Sequence, residues 1–114
     1  MKDKLFILRP GFFSGEEGPL YCGDSVAVEG LLSFFPQLRN NVDVEYIDAP
    51  RPRKAIVELI GETNQSAPVI VIGSGQAVKD TSVDVLEHNG MRFINAPDDI
   101  RRYLSSQYGV AHAS

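Results

Sequence analysis

Four short runs of the chain carry apolar patterns that suit strands. Leu5-Phe6-Ile7-Leu8 is apolar at every position, as a central strand covered on both faces should be. Val42-Asp43-Val44-Glu45-Tyr46-Ile47 alternates, which predicts a half-buried strand nearer the sheet edge. Residues 68–72 are again apolar throughout, with Pro68 at the first position, where a strand tolerates proline. Met91-Arg92-Phe93-Ile94 is the fourth run, and Asn89-Gly90 just before it suits a type I′ hairpin turn.

The intervening segments change period. From Ser25 to Phe35 the pattern is helical, with Val26, Gly30 and Phe34 on one face, Val28, Leu31, Leu32 and Phe35 beside it, and Pro36 closing it. A second helix is expected over residues 53–61, entered through Pro50-Arg51-Pro52. A third begins at Pro97, with Asp98 and Asp99 in its first turn, and runs to about Tyr108. Residues 12–20 read as a glycine- and glutamate-rich loop, residues 73–84 as a polar insertion with one helical turn near Ala77, and residues 109–114 as a frayed tail. The order strand, helix, strand, helix, strand, strand, helix predicts one α/β domain. Its four-stranded mixed sheet would carry helices on both faces, the first two strands parallel and the last two forming a hairpin.

Composition narrows the function classes. The 114 residues are 43% apolar and 23% charged, ordinary for a single soluble domain. No apolar run approaches the length of a membrane span, and no leader pattern opens the chain. A net charge of −4 argues against nucleic acid and against anionic membrane as partners. One cysteine makes no internal disulfide, which fits a reducing cytoplasm.

That cysteine is the candidate for chemistry. Tyr21-Cys22-Gly23-Asp24-Ser25 sets a thiol at the start of the first helix, where the helix N-terminus favours thiolate by roughly 0.3–1 kcal/mol. Asp24, two residues on, works against the same charge, and the two effects nearly cancel. Cys-x-x-Ser is also what remains of a Cys-x-x-Cys pair when one sulfur becomes oxygen, so Cys22 and Ser25 are the candidate catalytic residues. A serine hydrolase is excluded, because there is no Gly-x-Ser-x-Gly elbow. The two histidines, His88 beside a turn and His112 in the tail, are expected to face solvent, and neither makes a closed metal-ligand spacing with Cys22. Gly73-Ser74-Gly75 lacks the lysine of a phosphate loop.

The element order, with a cysteine at the first helix and a proline opening the third strand, resembles the thioredoxin-like fold in its glutaredoxin form. More closely, the runs from Lys4 to Phe12, Tyr21-Cys22, Glu29-Gly30-Leu31-Leu32, Pro50-Arg51-Pro52-Arg53, Asn64-Gln65-Ser66 and His88-Asn89-Gly90 resemble an uncharacterised family of small bacterial thioredoxin-like domains. Many of its members have Tyr-Cys-Pro-x-Cys where this chain has Tyr-Cys-Gly-x-Ser. The resemblance implies that Pro68 is a cis-proline beside the nucleophile and that Ala67 offers backbone hydrogen bonds to a ligand. It also implies that Asp98 and Asp99 stand where glutaredoxins hold glutathione, although both glycines of that segment are missing here.

In that topology three helix N-termini gather at one sheet edge, and Arg9, Arg51 and Arg53 line it with Tyr21, Gly23 and Asp24. Two readings stay open. Cys22 is a monothiol redox centre exchanging with glutathione or with a thiol- or disulfide-bearing protein, with no cofactor beyond glutathione as co-substrate. Or the domain is non-catalytic, and the same cleft binds a peptide, a small anion or a protein partner. The arginines as solvated loop residues and the two aspartates as helix-stabilising first-turn acids are the plainer alternatives.

Overall fold

A computed structural model describes residues 1–114. The chain runs β1 (Asp3–Leu8), β2 (Phe12–Ser14), β3 (Glu17–Leu20), α1 (Gly23–Phe34), α2 (Leu38–Asn41), β4 (Val42–Ile47), α3 (Lys54–Ile60), β5 (Val69–Val71), β6 (Leu86–His88), β7 (Met91–Ile94) and α4 (Pro97–Tyr108). Five strands form one mixed sheet in the order β4-β1-β5-β7-β6, and β2 and β3 form a separate ribbon. β1 pairs parallel with β4 and antiparallel with β5; β7 is antiparallel to both β5 and β6.

The continuous apolar run of β1 is used on both faces. Leu5 and Ile7 join α1, α2 and α4 in one core with Val28, Leu32, Ile100, Tyr103 and Leu104. Phe6 and Leu8 point the other way, into a second core with Ile56 and Ile60 of α3, Val69, Val71 and Phe93. Alternating side chains on a strand reach opposite faces, so a strand buried on both must be apolar throughout. β4 alternates because it is an edge strand, as its pattern predicts.

Four expectations need correction. The sheet has five strands, not four: the Asn89-Gly90 turn joins β7 to the short β6, while the strand at residues 69–71 pairs with the other side of β7. Residues 12–20 are not a plain loop but the β2–β3 ribbon. Residues 73–84 carry no helical turn at Ala77, and a four-residue helix, α2, follows Pro36 instead. The tail is pinned near its start, where Val110 is buried and the Ser105 hydroxyl donates to the Ala111 carbonyl.

One polar cluster lies inside the first core. Asp3 is fully buried, and its carboxylate takes four donors: the Gly73 N–H (2.6 Å), the Gln76 side-chain amide (3.0 Å), and the hydroxyls of Tyr103 and Tyr108. A buried carboxylate is tolerated when its lone pairs are filled in this way. Gly73 has to be glycine, since a Cβ there would lie 2.1 Å from the Met1 carbonyl oxygen.

Candidate functional site

Cys22 is the N-cap of α1, with extended backbone (φ −85°, ψ 116°), and its sulfur accepts the Ser25 N–H at 3.4 Å. A thiol thus fills the capping position that a hydroxyl or carboxylate usually takes. The side chain is half-buried, and Sγ lies 3.9 Å from the Ala67 carbonyl oxygen. Ala67 precedes the buried Pro68 across a cis peptide bond at the entry to β5. Cys22, Ala67 and Pro68, far apart in sequence, are therefore neighbours.

Ser25 is not free beside the thiol. It is 2% exposed, and its hydroxyl accepts the Leu8 N–H at 3.1 Å, tying α1 to the end of β1. That bond satisfies the Leu8 amide and fixes how far the helix start sits from the sheet. Ser25 thus meets the Cys22 sulfur through its backbone N–H and β1 through its hydroxyl.

Beside the sulfur is a cleft of about 280 Å³. Ile7, Leu8 and Pro10 come from β1 and its exit; Tyr21, Ser25, Val26 and Glu29 come from the start of α1; Tyr46 closes the side toward β4. Tyr21 and Val26 stand exposed at its mouth, while Gly23 and Asp24 are exposed on the first turn of the helix. At the far wall Glu29 takes the Tyr46 hydroxyl at 2.6 Å and the Arg39 guanidinium at 2.6 Å, and Arg39 also donates to the Tyr46 oxygen. Burial and the bond to Glu29 push the Tyr46 phenol above its ordinary value, and Arg39 opposes them. Sequence reasoning missed this triangle, because a helix glutamate and a strand tyrosine carry no joint signal.

The arginines are partly committed. Arg9 pairs with Asp48 at 3.0 Å, both exposed. Arg53 donates through its side chain to the Ala49 carbonyl (3.0 Å) and the Gln65 carbonyl (2.8 Å). Its guanidinium is lowered from the usual arginine range, first by burial and then by the charge of Arg51, while the Cys22 sulfur acts in the opposite direction. Arg51 is exposed. A second groove of about 750 Å³ runs between the β2–β3 ribbon and residues 48–53, and shares Pro10 with the first.

Asp98 and Asp99 are turned to their own helix. Asp98 pairs with Arg101 at 2.6 Å; Asp99 pairs with Arg102 and accepts the Asp84 N–H. Neither lines the cleft at Cys22. Contrary to expectation, His88 does not simply face solvent: its imidazole packs over Gly61, where a Cβ would meet the ring nitrogen at 2.6 Å. His112 is exposed. No group of three or more His, Cys, Asp or Glu side chains is arranged to hold a metal ion, and no helix is long and apolar enough to cross a membrane.

The family model described as "Protein of unknown function (DUF3088)" matches residues 2–112. No curated protein and no solved structure matches the chain.

Proposed function

The chain belongs to the DUF3088 family, and from the geometry around Cys22 we propose that it is a thioredoxin-like domain exchanging thiols and disulfides through a single cysteine. Support for the fold reading is the strand order β4-β1-β5-β7, with β1 and β4 parallel and β5 antiparallel between β1 and β7. Helices α1 and α4 cover one face of that sheet and α3 the other. β6 and the β2–β3 ribbon are additions to that plan.

The observation carrying the chemical reading is the setting of Sγ. It caps α1, is half-buried rather than enclosed in apolar packing, and borders an open cleft. The sulfur accepts the Ser25 N–H and stands at the N-terminal end of the α1 dipole. In the proposed cycle the Cys22 thiolate attacks one sulfur of a mixed disulfide. A new Cys22 disulfide forms, the old S–S bond breaks, and the partner leaves as thiolate. External glutathione, as thiolate, then attacks that disulfide and releases Cys22, taking the oxidised product with it. No second protein sulfur is needed.

A non-catalytic binding module is the second reading. It is favoured by Ser25, which is buried, bonded to the Leu8 N–H and brings no second sulfur to resolve a mixed disulfide. One assay separates the two. Wild-type protein is expected to accelerate reduction of a glutathione mixed disulfide by glutathione, and Cys22→Ser to lose the acceleration entirely. Equal rates for the two proteins would remove the catalytic reading and leave the module.

A further inference from the structure

We infer that the cleft on the β4 side of Cys22 selects the disulfide partner, accepting the apolar side chain next to a cysteine in a polypeptide. The inference rests on the reading that Cys22 exchanges with disulfides. In the sheet order β4-β1-β5, the sulfur meets Ala67 on the β5 side, while the cleft extends the opposite way, over Ile7 and Leu8 toward Tyr46 of β4. The side facing Ala67 and the side offering room are therefore different.

Charge decides the class of occupant. Glu29 is the one charged side chain in the lining, and both its oxygens are taken by Arg39 and Tyr46. No arginine or lysine is part of that lining. A ligand carboxylate entering here would lose water and gain no cation, which is costly. Glutathione carries two carboxylates and so is a poor fit for this cleft, even where it serves as the resolving thiol from solvent. An aliphatic or aromatic side chain loses nothing, and would cover the apolar floor together with the exposed Val26 and Tyr21.

Size and surroundings favour a polypeptide. The volume of about 280 Å³ is at the lower edge of the roughly 300–1,000 Å³ common for sites that enclose whole small ligands. It has room for a side chain inserted from outside. Past Pro10 the open surface continues into the groove between the ribbon and residues 48–53, which offers a path for chain on one side of the reacting cysteine.

The test uses two peptides of equal length, each with one cysteine held as its 2-thiopyridyl disulfide, flanked by phenylalanine in one and by glutamine in the other. Cys22 thiolate attacks the peptide sulfur, the peptide–Cys22 disulfide forms, and thiopyridone leaves with the electron pair and a proton. Its absorbance gives the rate, which is divided by the rate with N-acetylcysteine to cancel intrinsic reactivity. The phenylalanine peptide is expected to react about tenfold faster or more, within the range an apolar pocket can discriminate. Val26→Glu should bring the ratio down to about twofold or less, and Val26→Leu should retain it. A wild-type ratio near one, or a ratio unchanged in Val26→Glu, would overturn the cleft inference while leaving thiol exchange standing. No thiopyridone from either peptide would reject Cys22 as a nucleophile, and the broader reading with it.

Discussion

Ser25 works through both its backbone and its side chain. Its amide points at the Cys22 sulfur, and its hydroxyl takes the amide of Leu8. Replacing it with alanine keeps the first bond and deletes the second, leaving a buried N–H without a partner. Such an orphan costs about 1–3 kcal/mol. Ser25→Ala should therefore lower the urea midpoint at unchanged slope, whereas Ser33→Ala, an exposed serine of the same helix, should leave it in place. An equal midpoint for wild type and Ser25→Ala would show that water or a rearranged helix start satisfies Leu8. In sequence, Ser25 could be read as the oxygen left where a second sulfur once stood. Its structural duty was hidden because its partner is a backbone group 17 residues earlier.

Among elements, α4 is fastened to β1 by two phenols five residues apart, both aimed at Oδ2 of Asp3. Hydrogen bonds to a charged group are worth about 1.5–3 kcal/mol each. Either Tyr103→Phe or Tyr108→Phe leaves one hydroxyl on that oxygen, but the double variant leaves none. The double loss should exceed the sum of the singles by about 0.5 kcal/mol or more, measured as a denaturation cycle. Strict additivity would mean that the two bonds do not share the oxygen. Much of this level was readable beforehand. The β1 run, the alternation of β4 and the proline-opened α4 each carry a pattern long enough to fix their type. The ribbon was not readable, because Phe12–Ser14 and Glu17–Leu20 are short and rich in glycine, glutamate and proline. β6 was lost for the same reason, since Leu86–His88 is three residues long. At the site, Ala67 beside Cys22 was expected only from the resemblance to thioredoxin-like domains, and the Glu29–Arg39–Tyr46 wall was not expected at all. Asp3 hid at a strand start, where an acid normally reads as solvated.

At the scale of the whole molecule, the two phenols make stability depend on alkaline pH. Burial, and then the hydrogen bond to Asp3, raise both Tyr103 and Tyr108 well above the ordinary phenol range. In the unfolded chain they ionise near pH 10. The folded protein holds its protons where the unfolded chain has lost them, so the stabilisation is complete below about pH 10 and is lost as pH rises beyond it. The denaturation midpoint should be steady through the neutral range as far as these two groups are concerned, and should fall above about pH 10. The Tyr103→Phe, Tyr108→Phe double variant should show a shallower fall. Phenolate absorbance from these two rings should appear together with loss of circular dichroism. Ionisation of both in a still-folded protein would contradict the arrangement.

The same carboxylate has a consequence for synthesis. Chains leave the ribosome amino end first, so Asp3 emerges about a hundred residues ahead of its two phenolic donors. Its other two donors, Gly73 and Gln76, and the strands β4 and β5 that flank β1 are all made before either phenol. The second core, complete by Phe93, can therefore assemble before the first, which needs Ile100, Tyr103 and Leu104. Closure waits for α4: a chain stalled before Tyr103 would have all its strands, but Asp3 would lack two donors and the face of Leu5 and Ile7 would lack Tyr103 and Leu104.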